Sequence, residues 1–355
     1  LGMANVQAQF EQFHETIKLS YDENSELAEK RDRIINRLKE GIKKLFEEKN
    51  EPAPKFTTFN QGSYAMHTGV KPVNGDYDID VGVRFSIAKN DYPDPVEVKG
   101  WVYEALKKHT RHVEIRRSCV TVYYTEQGED IYHVDLAIYS GYDTNSDGND
   151  YLAKGKPHSS EENKVWEVAD PQGLIDLIAN RFGDPDDAKQ FRRIIRYLKR
   201  WRDVKFSSSG NAAPVGIGLT LIAYNWFTPA YSISDPFKNT RRYRDLDALL
   251  DLVKKTINQF TVTYFDDEWA ERLVVELPVV PYTDVFARMT NKQMGDFRSK
   301  LQELRDVLIS AEEQVDPVEA CKELQGVFGD DFPVPKKEET ARKVSAPIVS
   351  SSTSA

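Results

Sequence analysis

The sequence predicts an α+β protein in which a mixed sheet with helices packs on a helical C-terminal lobe, with the functional site in the cleft between them. Segments of alternating apolar and polar residues, typical of strands, are confined to the first half of the chain. After Asp170-Pro171 the apolar residues recur mainly at helical spacing. We therefore expect a sheet-containing core with an N-terminal helix over residues 1–170, a helical lobe over 171–334 and a disordered tail over 335–355.

Composition limits the classes of protein to consider. The chain has 355 residues, 40% of them hydrophobic, which is enough for one large core or two closely packed ones. There is no apolar run of membrane-spanning length and no signal-peptide pattern, so we expect a cytoplasmic protein. Only Cys119 and Cys321 are cysteines, which argues against a disulfide framework and excludes a cysteine-rich zinc site. The net charge of −9 argues against a long nucleic-acid template.

Secondary structure in the first part follows from local periodicity. Ile34, Leu38 and Ile42 recur at four-residue spacing between charged residues, which is typical of an amphipathic helix. Short alternating segments bounded by turn residues indicate strands. We predict helices over 5–50 and 95–109, a turn-rich passage over 55–70, strands over 77–85, 113–124 and 131–139, and a surface loop over 141–164.

The second part is predicted to be helical, with few strands. Asp170 before Pro171 is a helix-start signal, because Asp caps the first turn and Pro is tolerated there. The predicted helices cover residues 171–182, 186–204, 214–227, 244–260 and 293–313. The Lys-, Ser- and Pro-rich residues from 335 onward have little that could build a core.

Three acidic residues are the first candidates for a functional site. Asp78 and Asp80 lie two apart on a predicted strand and therefore project from the same face. Asp135 lies in a later, largely apolar strand, where a lone carboxylate needs a partner or a metal. If these strands are neighbours, the three carboxylates converge on hard cations. Asp76 with Asp78 is an alternative pair, although Asp76 follows Gly75 and reads as a turn residue.

A Gly-Ser turn precedes the acids by fourteen intervening residues. In Gln61-Gly62-Ser63 the glycine would let backbone approach phosphate oxygens, and Ser63 would start a helix whose amides face the anion. Such a turn is nearly uninformative by itself, and Asp-x-Asp at a strand end is commonly a solvated edge. Their order in this chain, with a third acid following, favours a functional site.

A basic helix is the third candidate element. Arg192, Arg196 and Lys199 line up at helical spacing beside an apolar stripe. Most of these cations are expected simply to solvate an exposed face. We single out Lys199 as a triphosphate contact, with Arg196 second, because lysine presents a compact point charge to phosphate.

These motifs together resemble the bacterial cGAS/DncV-like nucleotidyltransferases, a branch of the polymerase-beta-like superfamily. The resemblance covers about residues 50–335 and includes the segments Gln61-Gly62-Ser63, Asp78-Ile79-Asp80, His133-Val134-Asp135 and Tyr197-Leu198-Lys199-Arg200-Trp201-Arg202-Asp203. It implies a nucleotidyltransferase core packed on a helical lobe. It further implies synthesis of a cyclic di- or trinucleotide from ATP, GTP or both, with release of pyrophosphate, as a signal in anti-phage defence. A downstream effector would be reached only through that product.

The resemblance also implies roles for individual residues. The metal ligands and catalytic residues would be Asp78, Asp80 and Asp135, holding Mg²⁺ or Mn²⁺. The nucleotide-binding residues would be Gln61, Gly62, Ser63, Tyr64 and Lys199. Arg196, from its place on the basic helix, and Thr121, from its place after Cys119, are further candidates for nucleotide contacts. Two departures leave the base preference open: Val215 and Gly216 replace serines that touch nucleotide in relatives, and Thr121 stands where relatives can carry a base-reading arginine.

Partners and alternatives complete the expectations. We expect a monomer that uses NTPs without a DNA template or membrane, and a tail that a ubiquitin-transfer-like partner joins to other molecules through Ala355. An RNA-tailing nucleotidyltransferase shares the three acids but needs a surface for RNA, against which the acidic balance argues. A catalytically silent scaffold that binds partner proteins is the alternative from another class, and the retained acids argue against it. The bases joined, the linkage and the ring size stay open.

Overall fold

The structure is a computed structural model that describes residues 4–19, 25–73, 77–126, 129–207, 212–235, 237 and 240–336. A seven-stranded mixed sheet dominates its first half. The strands are β1 Phe56–Asn60, β2 Tyr77–Phe85, β3 His112–Ile115, β4 Val120–Glu126, β5 Glu129–Ser140, β6 Asp150–Lys154 and β7 Val165–Ala169. Strands β2 and β5 lie parallel at the centre, and the other pairings are antiparallel. The predicted mixed sheet is confirmed.

Helices cover the sheet and build the second half of the molecule. Their bounds are α1 Gln7–Ile17, α2 Ser25–Glu48, α3 Gly62–Ala65, α4 Pro95–Leu106, α5 Pro171–Ala179, α6 Pro185–Lys205, α7 Gly216–Trp226, α8 Asp245–Ile257, α9 Asn291–Glu313 and α10 Pro317–Phe328. Two hairpins accompany them, β8 Tyr231–Asp235 with β9 Thr240–Tyr243 and β10 Thr261–Phe265 with β11 Glu268–Arg272. Asp170 caps α5 by accepting from the Gly173 amide at 2.8 Å, as its sequence predicts.

Two hydrophobic cores hold the fold together. The first lies between the sheet and helices α2 and α4, and alternate β2 residues such as Ile79 and Val81 are buried in it. The second lies among the later helices. Helix α1 contributes Phe10, Phe13 and Ile17 to this second core, so it packs with the helical part although it precedes α2 in sequence. The division of the chain at residue 170 stays a prediction.

Several predicted elements need correction. The 5–50 region contains two helices, and the 55–70 passage contains strand β1 and one helical turn. Residues 113–124 do not form one strand but belong to β3 and β4, which pair with each other. The turn between the two strands is closed by the Arg116 backbone amide, which donates to the Cys119 carbonyl at 3.0 Å. The expected loop over 141–164 contains β6. Helix α10 and both hairpins were not predicted.

A buried ion pair explains why strand β6 was not predicted from the sequence. Asp150 is 7% exposed, and the Arg84 guanidinium donates to both of its carboxylate oxygens. A polar residue that is buried with its partner looks, in the sequence, like a residue of a solvated loop. The predicted tail lies almost wholly outside the described residues. None of the helices that the structure describes is both long and apolar enough to cross a bilayer.

Candidate active site

The parallel pairing of β2 with β5 brings the predicted acids together. In this register Asp80 lies beside Asp135 and Asp78 lies beside His133, so all four side chains share one face of the sheet. The Asp78 Oδ1 atom is 3.3 Å from His133 Nε2. One ligand atom each from Asp78, His133 and Asp135 lies within 4.8 Å of the others. Asp78 and Asp135 therefore converge with His133, and Asp80 lies beside Asp135 on the same face of the sheet.

The pKa values of Asp80 and Asp135 are raised by burial and by the neighbouring carboxylates. Burial raises the pKa of Asp80 well above its usual range, and the charges of Asp78 and Asp135 raise it further. Burial also raises the pKa of Asp135, again with Asp78 adding to the effect. Such mutual repulsion is relieved when a cation sits among the carboxylates. The oxygen-rich donor set therefore fits a divalent ion such as Mg²⁺ or Mn²⁺.

Gly62 lies just after the end of β1 and next to the Asp80 carboxylate. Its φ of +60° lies in the left-handed region, which side-chain-bearing residues rarely adopt. A Cβ atom at this position would lie 1.8 Å from Asp80 Oδ2. The adjacent Gln61 amide donates to the Asp80 backbone carbonyl at 3.2 Å. Only glycine therefore lets the turn approach the Asp80 carboxylate so closely.

The other residues of the Gly-Ser turn point in different directions. Ser63 lines the same cavity as Asp78 and Asp80. It does not start the helix: Gln61 is the N-cap of α3, and its side chain donates to the Tyr139 hydroxyl. The Tyr64 hydroxyl accepts from Arg31 at 3.1 Å, and Tyr64 lines a neighbouring cavity. Nucleotide contacts by Gln61 and Tyr64 stay predictions.

Three cations of α6 hold the backbone that follows the turn. Arg196 donates to the carbonyls of His67 and Gly69 at 2.6 and 3.0 Å. Lys199 Nζ donates to the carbonyl and the hydroxyl of Thr68, both at 3.1 Å. Arg200 donates to the Lys71 carbonyl at 2.8 Å. Four carbonyls within residues 67–71 are thus bonded to one helix, which fixes the turn relative to the helical part.

These contacts separate Lys199 from Arg196. Lys199 lines the cavity of the acids, whereas Arg196 lines two neighbouring cavities. The pKa of Lys199 is lowered to about 7, chiefly by burial and then by the charges of Arg202 and Arg196, while Asp80 acts in the opposite direction. A buried ammonium with a lowered pKa gains stability from an incoming anion. Lys199 is thus suited to contact a triphosphate, and its role there stays a prediction.

The cavity itself has a volume of about 460 Å³ and lies between the sheet and the helices. It is lined by Leu19, Gly62, Ser63, Met66, Val70, Pro72, Asp78, Asp80, Lys199, Arg202, Asp203, Gly216, Ile217 and Thr220. This location agrees with the predicted cleft. The sequence interpretation missed Arg202 as a lining residue, although its position one turn after Lys199 would have indicated it.

The start of α7 forms one wall of the cavity. Its N-cap residue Val215 makes no side-chain hydrogen bond to the first turn, and Gly216 follows as the first helical residue. A Cβ atom on Gly216 would lie 3.1 Å from the Arg202 guanidinium. Glycine at this position therefore leaves room for the Arg202 side chain. This position is also one of the two at which the resemblance predicted that serine contacts with nucleotide are missing. The Gly218 amide closes the first turn by donating to the Val215 carbonyl at 3.0 Å.

Two further predicted positions can be placed. Thr121 is fully buried on β4, and its hydroxyl donates to Asp135 Oδ1, so its observed contact orients a carboxylate. A contact between Thr121 and a base stays a prediction. The alternative pair of Asp76 with Asp78 cannot be compared, since Asp76 lies outside the described residues.

Known proteins resemble this chain in sequence and in fold. Residues 54–139 match the family model for the nucleotidyltransferase domain of DncV-like cyclic GMP-AMP synthases. A cyclic GMP-AMP synthase of Escherichia albertii is 30% identical over 159 residues, which are 42% of this chain and 32% of that protein. The match thus spans about a third of the length of this relative.

Solved structures extend the likeness to most of the chain. Vibrio cholerae DncV, crystallised with nonhydrolysable GTP, superposes with a TM-score of 0.67 at 18% identity, over 91% of this chain and 96% of that one. The Bradyrhizobium diazoefficiens CD-NTase CdnG, solved with GTP, gives a TM-score of 0.65 at 15% identity, over 92% and 96% of the two chains. At these identities the likeness shows the fold. The family resemblance of the motifs is therefore confirmed: residues 54–139 match a DncV-like nucleotidyltransferase domain, and the chain shares its fold with DncV and CdnG.

Proposed function

We propose that this chain joins nucleoside triphosphates into a cyclic di- or trinucleotide and releases pyrophosphate. One observation carries the proposal: three carboxylates share one face of the sheet, and two of them, Asp78 and Asp80, line a cavity that Lys199 enters from the helical part. Acids suited to metal ions and a cation suited to phosphate thereby meet in one cleft. The site lies in a fold whose relatives are nucleotidyltransferases, which supports this reaction class.

The residues of the chain have separate tasks in this proposal. Asp78, Asp80 and Asp135 would hold two Mg²⁺ or Mn²⁺ ions. Metal ions held there would lower the pKa of an attacking ribose hydroxyl and neutralise charge on the triphosphate and the pyrophosphate leaving group. Gly62 and Ser63 would present backbone to the phosphates, and Lys199 would bind the triphosphate from the opposite wall. Thr121 keeps Asp135 in place through its hydroxyl.

The related enzymes indicate the substrates. The Escherichia albertii relative is a cyclic GMP-AMP synthase, and DncV has been crystallised with the linear intermediate 5′ pppA(3′,5′)pG. We propose by analogy that ATP and GTP are the substrates here. A role of the product as a second messenger in bacterial anti-phage defence is part of the same proposal, with the enzyme acting in the cytoplasm as a monomer.

The proposed function is tested by product analysis. The full chain is incubated with all four NTPs and Mg²⁺, and the products are identified by mass spectrometry. We expect a cyclic di- or trinucleotide and pyrophosphate, and no product when a chelator removes Mg²⁺ and Mn²⁺. A parallel reaction with labelled ATP and an RNA acceptor separates the RNA-tailing alternative. Elongated RNA without a cyclic product, or full activity after chelation, would contradict the proposal.

Lys199→Ala should weaken nucleotide binding. Loss of a charge-assisted hydrogen bond costs about 1.5–3 kcal/mol, which is roughly a 10- to 150-fold weaker Kd for a nonhydrolysable NTP. Because the pKa of Lys199 is about 7 in the free site, its ammonium fraction falls as the pH rises from 6 to 8. The loss caused by the substitution should therefore be larger at pH 6 than at pH 8. Titration calorimetry at both values measures the difference.

The matched control for this substitution is Lys254→Ala on the exposed face of α8. It removes the same charge from the protein without touching the cavity. Equal nucleotide affinities of the two variants at both pH values would show that Lys199 has only a structural role, as a hydrogen-bond donor to Thr68.

The predicted tail adds a proposal about a protein partner. Residues 337–355 lie outside the described part of the chain, and their sequence is basic at first and then rich in small residues. We propose that a ubiquitin-transfer-like partner joins the chain to other molecules through Ala355 and thereby raises its activity. Removing residues 335–355 should leave basal product formation unchanged. Loss of activity in the purified truncated protein would assign the tail to the catalytic fold instead.

A further inference from the structure

A histidine stands among the carboxylates of the candidate active site. We propose that His133 is a metal ligand through Nε2, which gives the site a mixed nitrogen and oxygen donor set that favours first-row transition ions such as Mn²⁺ over Mg²⁺. This inference rests on the proposed metal-dependent function and deepens it. The sequence interpretation expected carboxylate ligands alone, in accordance with the hard-cation preference of oxygen donors.

Geometry is the main support for this assignment. Two donors that bind one ion at about 2.1 Å are about 3.0 Å apart when adjacent and about 4.2 Å apart when opposite. The separation of 3.3 Å between His133 Nε2 and Asp78 Oδ1 falls within this range. The ligand atom of Asp135 lies within 4.8 Å of both. The bound of 4.8 Å exceeds the separation of opposite donors by about 0.6 Å, so a shift of about that size at most would complete a three-donor site.

The backbone explains why these donors meet. His133 and Asp135 are two residues apart on β5, so both project from the face that also carries Asp78 of β2. The His133 side chain is 15% exposed, compared with 54% for that of Asp78. On the other side, the Tyr123 ring of β4 lies 5.9 Å from the imidazole ring. The imidazole is thus enclosed by the sheet and presents Nε2 to the carboxylates.

The chemistry of imidazole explains the expected selectivity. An imidazole nitrogen is a softer donor than a carboxylate oxygen and binds first-row transition ions well, whereas Mg²⁺ prefers oxygen. If the histidine only formed an ion pair with Asp78, its removal would weaken the binding of Mn²⁺ and of Mg²⁺ by similar factors. The ratio of Mn²⁺ affinity to Mg²⁺ affinity therefore distinguishes a ligand from a residue that merely orients Asp78.

The test measures Mn²⁺ bound to the full chain in the absence of nucleotide. Electron spin-echo modulation of bound Mn²⁺ should show coupling to a nitrogen nucleus in the wild-type protein. In His133→Phe, which keeps an aromatic ring beside Tyr123, the coupling should vanish. The ratio of Mn²⁺ to Mg²⁺ affinity should fall by roughly tenfold or more, since even the loss of a residue that only supports a ligand commonly costs tenfold in metal affinity. His112→Phe is the matched control, because His112 also contacts Tyr123 but lies outside the ligand cluster.

Each outcome decides between the assignments. Absence of nitrogen coupling in wild-type protein that binds Mn²⁺ would overturn the proposal and needs no variant. Equal losses of Mn²⁺ and Mg²⁺ affinity in a folded His133→Phe protein would also overturn it and make His133 an orienting residue. Asp78→Asn serves as the separate arm for the proposed function. If Mn²⁺ binding persists unchanged in that variant, the carboxylate site itself is wrong, whatever the result at His133.

Discussion

Replacing Asp78 and Asp80 together by Asn should abolish product formation while the fold stays intact. Both carboxylates line the cavity, and each would lose the negative charge that holds a divalent ion. Metal ions contribute several kcal/mol of transition-state charge stabilisation, and each 1.4 kcal/mol is a factor of about ten. We therefore expect the rate of cyclic product formation to fall by at least about a thousandfold. Product quantified by mass spectrometry against time measures this loss.

Stability provides the control for the double variant. In the metal-free protein the pKa of Asp80 is raised by burial and by the neighbouring acids, so its ionised form is unfavourable to folding at neutral pH. Neutral asparagines remove that repulsion. The melting temperature without metal should therefore be unchanged or higher, and the stabilisation that Mg²⁺ gives the wild-type protein should disappear. Wild-type turnover in the double variant would refute the assignment of these ligands.

Gly62→Ala should have the second-largest effect on activity. An alanine Cβ would lie 1.8 Å from Asp80 Oδ2, far inside contact distance, so either the carboxylate or the turn must move. A displacement of about 1 Å in a catalytic constellation costs on the order of a hundredfold in rate. We expect kcat to fall by about that factor, with residual activity because all three carboxylates remain. Steady-state kinetics with ATP and GTP measure the effect.

Gly148→Ala is a matched control for the backbone component. Gly148 also has a positive φ, of +70°, but an added Cβ there would meet nothing within 4 Å. Both variants therefore carry the strain of a left-handed alanine, and only one disturbs Asp80. Similar stability losses with very different activities are expected. Equal activities would show that the close approach of Gly62 to Asp80 does not matter for the reaction.

Local sequence patterns were sufficient to predict a strand where buried and exposed residues alternate regularly. Strand β2 spans the residues that its alternation predicts, because Ile79 and Val81 enter the core while Asp78 and Asp80 face away from it. Helix α10 could also have been predicted. Asp316 before Pro317 carries the same start signal as α5, and its side chain accepts from the Val318 amide at 2.9 Å.

Other features could not be read from local patterns. The buried Asp150 of β6 is compatible with the core only because Arg84, 66 residues away, donates to it. The hairpin within residues 113–124 depends on a turn whose residues Arg116 to Cys119 carry no strong turn signal. In both cases the deciding contact is tertiary or depends on backbone conformation rather than on residue type.

The sequence by itself determined the acids, the glycine turn, the basic helix and the family that they resemble. Residue type and spacing were enough because two-residue periodicity places Asp78 and Asp80 on one face whatever the rest of the chain does. Only the tertiary structure decided which cation enters the cavity and which donors join the acids. The packing of α6 against residues 67–71 directs Lys199 into the cavity and Arg196 away from it. The parallel register of β2 and β5 brings His133 to Asp78, because pairing between distant strands is set by the whole sheet and not by either strand alone.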